Sequence, residues 1–346
     1  MKVRSRGEKI RSFVLENVES NPRDIAKRAA AEFGITRQAV NKHLVQLVKE
    51  KALIETGNTR NRTYKLCPIA EVEKAYPLTP DVQEDVVWRN DVLQLLAGLP
   101  ENVIDIWSYC FTEMFNNAID HSAATYISVS VKRTAASTAI RIHDNGIGIF
   151  KKIQDALGLL DQQHAVFELS KGKLTTDPAR HTGEGIFFTS RMVDNFRILS
   201  SETFFSHNFG ESEDWILQDE QPTSGTLVSM RLNNHTSRTL KKVFSEFSTD
   251  EDIGFTKTVV PVRLAQYGDD KLVSRSQAKR LLDRVDRFKT VIFDFKEVTA
   301  IGQSFADEIF RVFQNSHPSI ELIPINANTD VQDVILRARS VASAKP

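Results

Sequence analysis

Glu113, Asn117 and His121 follow one another at intervals of four in the stretch NVIDIWSYCFTEMFNNAIDHS, so a carboxylate, an amide and an imidazole share one face of a helix. The neutral amide oxygen of Asn117 suits a hard cation. Further on, IRIHDNGIG sets Asp144 at the end of an alternating strand and follows it with Gly146 and Gly148. A carboxylate in that place can accept hydrogen bonds, and the glycines allow the backbone a close approach to a ligand. The phrase HTGEGIFFTSRM places His181, Thr182, Gly183, Glu184, Gly185 and Ile186 where an amphipathic helix opens, with its first N–H groups available to an anion. Thr226 stands after Gly225 at the start of a last strand, SGTLVSMRL.

The elements that must position these groups are legible in the apolar spacing. Val103, Ile106, Trp107, Cys110, Phe111, Met114 and Ala118 form the opposite stripe of the first helix. Strands are expected over 126–131 and 139–143, the second leading directly into Asp144.

In this order the pieces resemble the GHKL ATPase superfamily of gyrases, heat-shock chaperones, histidine kinases and mismatch-repair ATPases, over about residues 85–234. Glu113-x-x-x-Asn117-Ala118 is similar to its N box, Asp144-x-Gly146-x-Gly148 to its first glycine box, and Gly183-x-Gly185 to its second. The resemblance implies an α/β sandwich, a mixed sheet covered on one face by helices, with ATP and Mg²⁺ as cofactors. It implies that Asn117 holds the metal, that Asp144 reads the adenine amino group, and that Thr226 supports the base site. Glu113 is expected to be the catalytic carboxylate that polarises water. Lys171, Lys173, Arg180 and His181 fall where the family has its lid and are the residues expected to neutralise phosphate charge.

The full chain has 346 residues, with 45 Lys or Arg balanced by 45 Asp or Glu. That length suggests two or three domains. The balance hides a polarity: residues 1–66 hold 15 basic against 7 acidic groups, a net +8, which leaves −8 for the rest. A compact basic module points to a polyanion partner. Its pattern is three helices (8–18, 23–33 and one capped by Thr36), then a hairpin over 53–56 and 63–66, and it resembles a winged helix-turn-helix. DNA is the expected partner of this first domain, 1–67. Thr36, Arg37, Gln38, Asn41 and Lys42 of the third helix, with Arg60 and Arg62 in the wing, are the expected contacts. A protein-binding winged helix is the alternative.

The prolines at 68, 77 and 80 mark 68–84 as a linker, and a polar stretch marks 235–254 as another. Residues 255–346 alternate strand and helix and resemble a small STAS-like α/β domain, so the whole chain is expected to be multidomain α+β. At the site where a partner kinase phosphorylates anti-sigma factor antagonists, this chain has Gly302-Gln303-Ser304-Phe305 in place of Asp-Ser-Ser-Gly. Ser304 therefore reads first as a helix cap or packing residue. Two cysteines, the absence of a signal-peptide core and the absence of a long apolar run lead to an expected cytoplasmic protein, without a membrane partner. The functional expectation is a regulator that binds ATP, hydrolyses it slowly and couples nucleotide state to DNA binding. A serine kinase of the partner-switching type and a non-catalytic nucleotide-gated scaffold remain open beside it. A homodimer and a protein partner at the STAS-like domain are the other possible associations.

Overall fold

The computed structural model describes residues 6–58, 61–176, 182–210, 214–248, 254–266 and 271–342. The basic segment folds as α1 (Arg6–Asn17), α2 (Ile25–Phe33), α3 (Arg37–Lys49) and an antiparallel hairpin of β1 (Leu53–Thr56) and β2 (Thr63–Leu66). Gly34 ends α2 in the left-handed conformation, and Thr36 caps α3 by accepting a hydrogen bond from the Ala39 amide at 3.2 Å. Val14, Ile25, Val40, Leu44 and Leu53 form a core of their own.

The middle of the chain builds one five-stranded sheet in the order β3-β4-β5-β7-β6. Its strands are β3 (Ala70–Pro77), β4 (Tyr126–Arg133), β5 (Ser137–Asp144), β6 (Asn195–Asn208) and β7 (Asp214–Asn233). All four pairings are antiparallel, where a mixed sheet was expected. Alternation puts Ile127, Val129, Val131, Ile140 and Ile142 on the buried face and leaves Ser128, Ser130 and Arg141 toward solvent. The helices α4 (Glu84–Val87), α5 (Glu101–His121), α6 (Ile149–Leu157), α7 (Gln162–Lys171) and α8 (Gly185–Met192) belong to this region. Every residue of the expected apolar stripe of α5 is buried, along with Phe115.

Neither expected linker is a bare connection. Segment 68–84 contains β3, an edge strand that ends on Pro77, where the missing N–H costs no ladder bond. Segment 235–254 contains α9 (Leu240–Glu246), whose Phe244 packs edge-on against Tyr109 of α5 and Phe188 of α8. The Asn102 side-chain amide donates to the carbonyls of Thr236 and Arg238 and holds the approach to α9 on the start of α5.

The C-terminal unit is a parallel three-stranded sheet in the order β10-β9-β8. It comprises β8 (Lys257–Pro261), α10 (Arg275–Leu282), β9 (Thr290–Asp294), α11 (Gln303–Asp307), a π-helical stretch, α12 (Gln314–Ser316), β10 (Glu321–Ile325) and α13 (Thr329–Ala342). Parallel strands joined by helices match the expected strand–helix alternation. Ser304 is exposed within α11, and Gly302 rather than Ser304 holds the N-cap position. No described helix is long and apolar enough to cross a membrane.

Candidate functional site

A cavity of about 260 Å³ opens between α5, the ends of β5 and β7, the chain after α7, and the start of α8. Glu113, Asn117 and His121 line it from α5, as their spacing requires. Asp144 lines it from the end of β5 and Thr226 from β7, and the two are direct cross-strand partners. Thr182, Gly183, Glu184, Gly185 and Ile186 complete the wall at the start of α8.

Asp144 is the best-defined group. It is 4 % exposed, and its Oδ1 accepts hydrogen bonds from the backbone N–H groups of Gly146 (2.9 Å) and Thr226 (3.3 Å). Burial pushes its carboxyl above the ordinary carboxylate range, and those two donors offset part of that rise. The Thr226 hydroxyl oxygen is held in turn, accepting from the Ile149 amide at 3.0 Å. Gly225, beside it, has φ +75°, and a Cβ there would lie 1.9 Å from the Asp144 carbonyl oxygen. The antiparallel pair thus closes tightly around the carboxylate.

At the opposite wall the Gly185 backbone meets Glu113: a Cβ on Gly185 would fall 2.1 Å from Glu113 Oε2. A carboxylate therefore lies against the start of α8, where N–H groups without helical partners converge. Burial raises the carboxyl of the neighbouring Glu184 as well, with Lys173 partly offsetting it.

Several expected members of the site lie elsewhere. Lys171 is buried at 1 % exposure and turned toward the C-terminal unit: its ammonium donates to Glu168 of α7 and to the carbonyls of Arg280 and Asp283 in that unit. Lys173 donates to the Arg287 carbonyl at 2.9 Å. Neither lines the cavity, so neither is the phosphate contact expected of it. Gly146 and Gly148 shape the turn without walling the cavity; a Cβ on them would meet the Ser122 carbonyl and the Ser200 hydroxyl, which are protein atoms. Arg180, His181 and Arg60 lie outside the described residues.

Lys152, missed in the sequence, is the lysine that lines the cavity among the described residues, and its ammonium donates to the His121 carbonyl at 2.8 Å. It stands four residues after Gly148, one turn into α6, and that spacing was the available signal. In the basic segment, Thr36, Arg37, Gln38, Asn41 and Lys42 are all exposed along α3. Arg62 is turned back onto β1, its Nε 3.0 Å from Glu55, so it belongs to the hairpin's own ion pair and is not a free wing contact.

Residues 81–203 match the family model of the histidine kinase-like ATPase domain. The chain carries a histidine kinase-like ATPase domain. Glu113, Asn117, Asp144 and the start of α8 all fall inside that match, and Thr226 joins them from the strand paired with Asp144. Residues 277–332 match a STAS-like domain of unknown function. No curated protein matches the chain.

Proposed function

We propose that this chain is an ATP-responsive DNA-binding regulator, in which a winged helix reads DNA and the ATPase domain reports nucleotide state. The observation that carries the nucleotide part is the buried Asp144 carboxylate in the cavity wall, with one oxygen held by two backbone amides; in this reading the other oxygen accepts from a purine amino group. The remaining walls suit a triphosphate. The start of α8 offers N–H groups, Lys152 brings positive charge, and the amide of Asn117 stands one turn from Glu113. A phosphate at α8 would face the Glu113 carboxylate, and such a juxtaposition calls for a cation between them. Asn117 would hold Mg²⁺, whose chemistry there is to neutralise phosphate charge; a single protein oxygen suffices for an ion that keeps waters and binds phosphate oxygens. Glu113 is then the base that orients and deprotonates water, a role that contributes typically 10²–10⁴-fold.

The DNA part rests on the net charge of the first module, on the order of its helices and hairpin, and on the exposed polar face of α3. The partner-switching kinase is the less favoured reading. Among the described residues none beyond Val228 lines the cavity, so Ser304 is not presented to the nucleotide site of its own chain.

Calorimetry with Mg-ATP on wild type and Asn117→Ala tests the site: binding in the first, and its loss in the second, is expected. Glu113→Gln should bind Mg-ATP but release phosphate far more slowly. A DNA titration across salt, with and without Mg-ATP, tests the coupling. Equal DNA affinities in both conditions would remove it, and an affinity insensitive to salt would remove DNA binding through phosphate contacts.

A further inference from the structure

Between two stretches of the cavity wall, Leu169 on one side and residues 174–176 on the other, the chain leaves the cavity and enters the STAS-like unit. Lys171 makes the deepest contact. Its three ammonium hydrogens match three acceptors: Glu168 Oε1 at 2.6 Å, the Asp283 carbonyl at 2.9 Å and the Arg280 carbonyl at 3.1 Å. Its own carbonyl accepts from the Thr258 hydroxyl at 2.6 Å. Gly172 leaves no room for a side chain, since a Cβ there would lie 2.7 Å from the Phe255 ring. The Lys173 carbonyl accepts from the Arg284 and Arg287 guanidinium groups. Glu168, fully buried, also faces Arg284 at 3.7 Å and His164 at 3.6 Å.

Two of the three acceptors of this buried ammonium belong to the STAS-like unit. If that unit moved away, Lys171 would keep Glu168 alone, and the charge would have to be rehydrated or left short of partners, which is costly in a buried site. Conversely, shifting the wall at 174–176 pulls on a lysine anchored a few residues earlier.

We propose that Lys171 is a positioning residue of the nucleotide site, one that fastens the cavity wall to the STAS-like unit so that nucleotide binding and the seating of that unit form one coupled equilibrium. This rests on the ATP-binding reading above. A ligand that favours one arrangement of the wall then favours one seating of the unit, and a partner that holds the unit changes nucleotide affinity by the same factor.

The test uses the full chain. Hydrogen exchange of wild type with and without Mg-ATP should show slower exchange in residues 280–287, remote from the cavity lining, as well as in 174–176. Lys171→Met keeps an unbranched side chain and removes the ammonium, with its three donors and its place over the Phe167 ring. It should weaken Mg-ATP binding by about 5–150-fold, the usual span of coupling between sites, and abolish the response at 280–287. Arg287→Ala, which removes one outer contact, should give the same changes to a smaller degree and covers the case in which Lys171→Met does not fold. Binding of Mg-ATP by wild type with no exchange response at 280–287 would overturn the proposal and leave the nucleotide site standing. So would Lys171→Met or Arg287→Ala variants that fold, bind normally and keep the response. Failure of wild type to bind Mg-ATP would remove both.

Discussion

Replacing Asp144 by asparagine should move stability and affinity in opposite directions. The new amide oxygen can keep the bonds from the Gly146 and Thr226 amides, because turning its NH₂ toward them would set donor against donor. The NH₂ then occupies the place of the second carboxylate oxygen and faces the purine amino group, another donor. Loss of a hydrogen bond to a charged acceptor costs about 1.5–3 kcal/mol, which corresponds to roughly ten- to a hundredfold in affinity. Stability follows from linkage. Burial raises the folded-state carboxyl above its unfolded value, so the folded protein binds the proton more tightly, and stability falls as pH rises through the folded value. At neutral pH wild type carries that cost and the Asp144→Asn variant would not; below the unfolded carboxylate range the difference disappears. Differential scanning calorimetry should therefore give Asp144→Asn a Tm equal to or above that of wild type at neutral pH, while titration calorimetry shows the loss of Mg-ATP affinity. Wild-type affinity should itself decline on acidification sooner than an ordinary carboxylate would dictate. A variant that binds Mg-ATP like wild type, or one that is less stable at neutral pH, would refute this account of the carboxylate.

Gly225→Ala should destabilise the protein by roughly 3 kcal/mol or more, since a side chain at φ +75° would press on the Asp144 carbonyl; denaturant unfolding reads this directly. Lys152→Ala should weaken ATP by about tenfold, the scale of one charge-assisted contact, and leave adenosine unaffected; parallel titrations with the two ligands separate phosphate from base recognition. Arg37→Ala and Lys42→Ala should each lower DNA affinity and reduce the slope of log K against log salt by about 0.9, as expected for one lost phosphate contact apiece.

The residues that surround the nucleotide cavity were legible where the physics is local. Helical spacing alone brings Glu113 to Asn117, and a strand end followed by glycines places Asp144 at a rim. Lys171 and Lys173 were misplaced for a reason equally physical. A lysine at the end of a helix can serve a cavity or a neighbouring domain, and the choice depends on a partner more than a hundred residues away, here the carbonyls of Arg280, Asp283 and Arg287. A long-range partner hid β3 as well: the prolines in and around it look like a linker until β4 supplies the pairing that makes it an edge strand. In α9 the signal was present, since Leu240, Val243, Phe244 and Phe247 repeat at helical intervals, but the polar residues around them masked it. Gly146 shows the opposite error. Its smallness was assigned to a ligand, whereas the Ser122 carbonyl already demands it.

The two flanking modules reach the cavity by unequal routes. The basic module rests on the far end of the sheet, where Ala136 of the β4–β5 turn joins its core and Arg231 of β7 pairs with Glu19 at 2.7 Å. Along the strands, at 3.3 Å per residue, Ala136 lies about 25 Å from Asp144 and Arg231 about 17 Å from Thr226. Paired strands are stiff along their length, and the Glu19–Arg231 pair is half exposed, so by itself it contributes little. The STAS-like unit, by contrast, grips the chain two residues from a wall of the cavity. A nucleotide signal should therefore register there first, and a change in DNA affinity that survives Glu19→Ala would be carried without this ion pair, through contacts such as the Ala136 packing and the Ile69–Arg133 backbone bond.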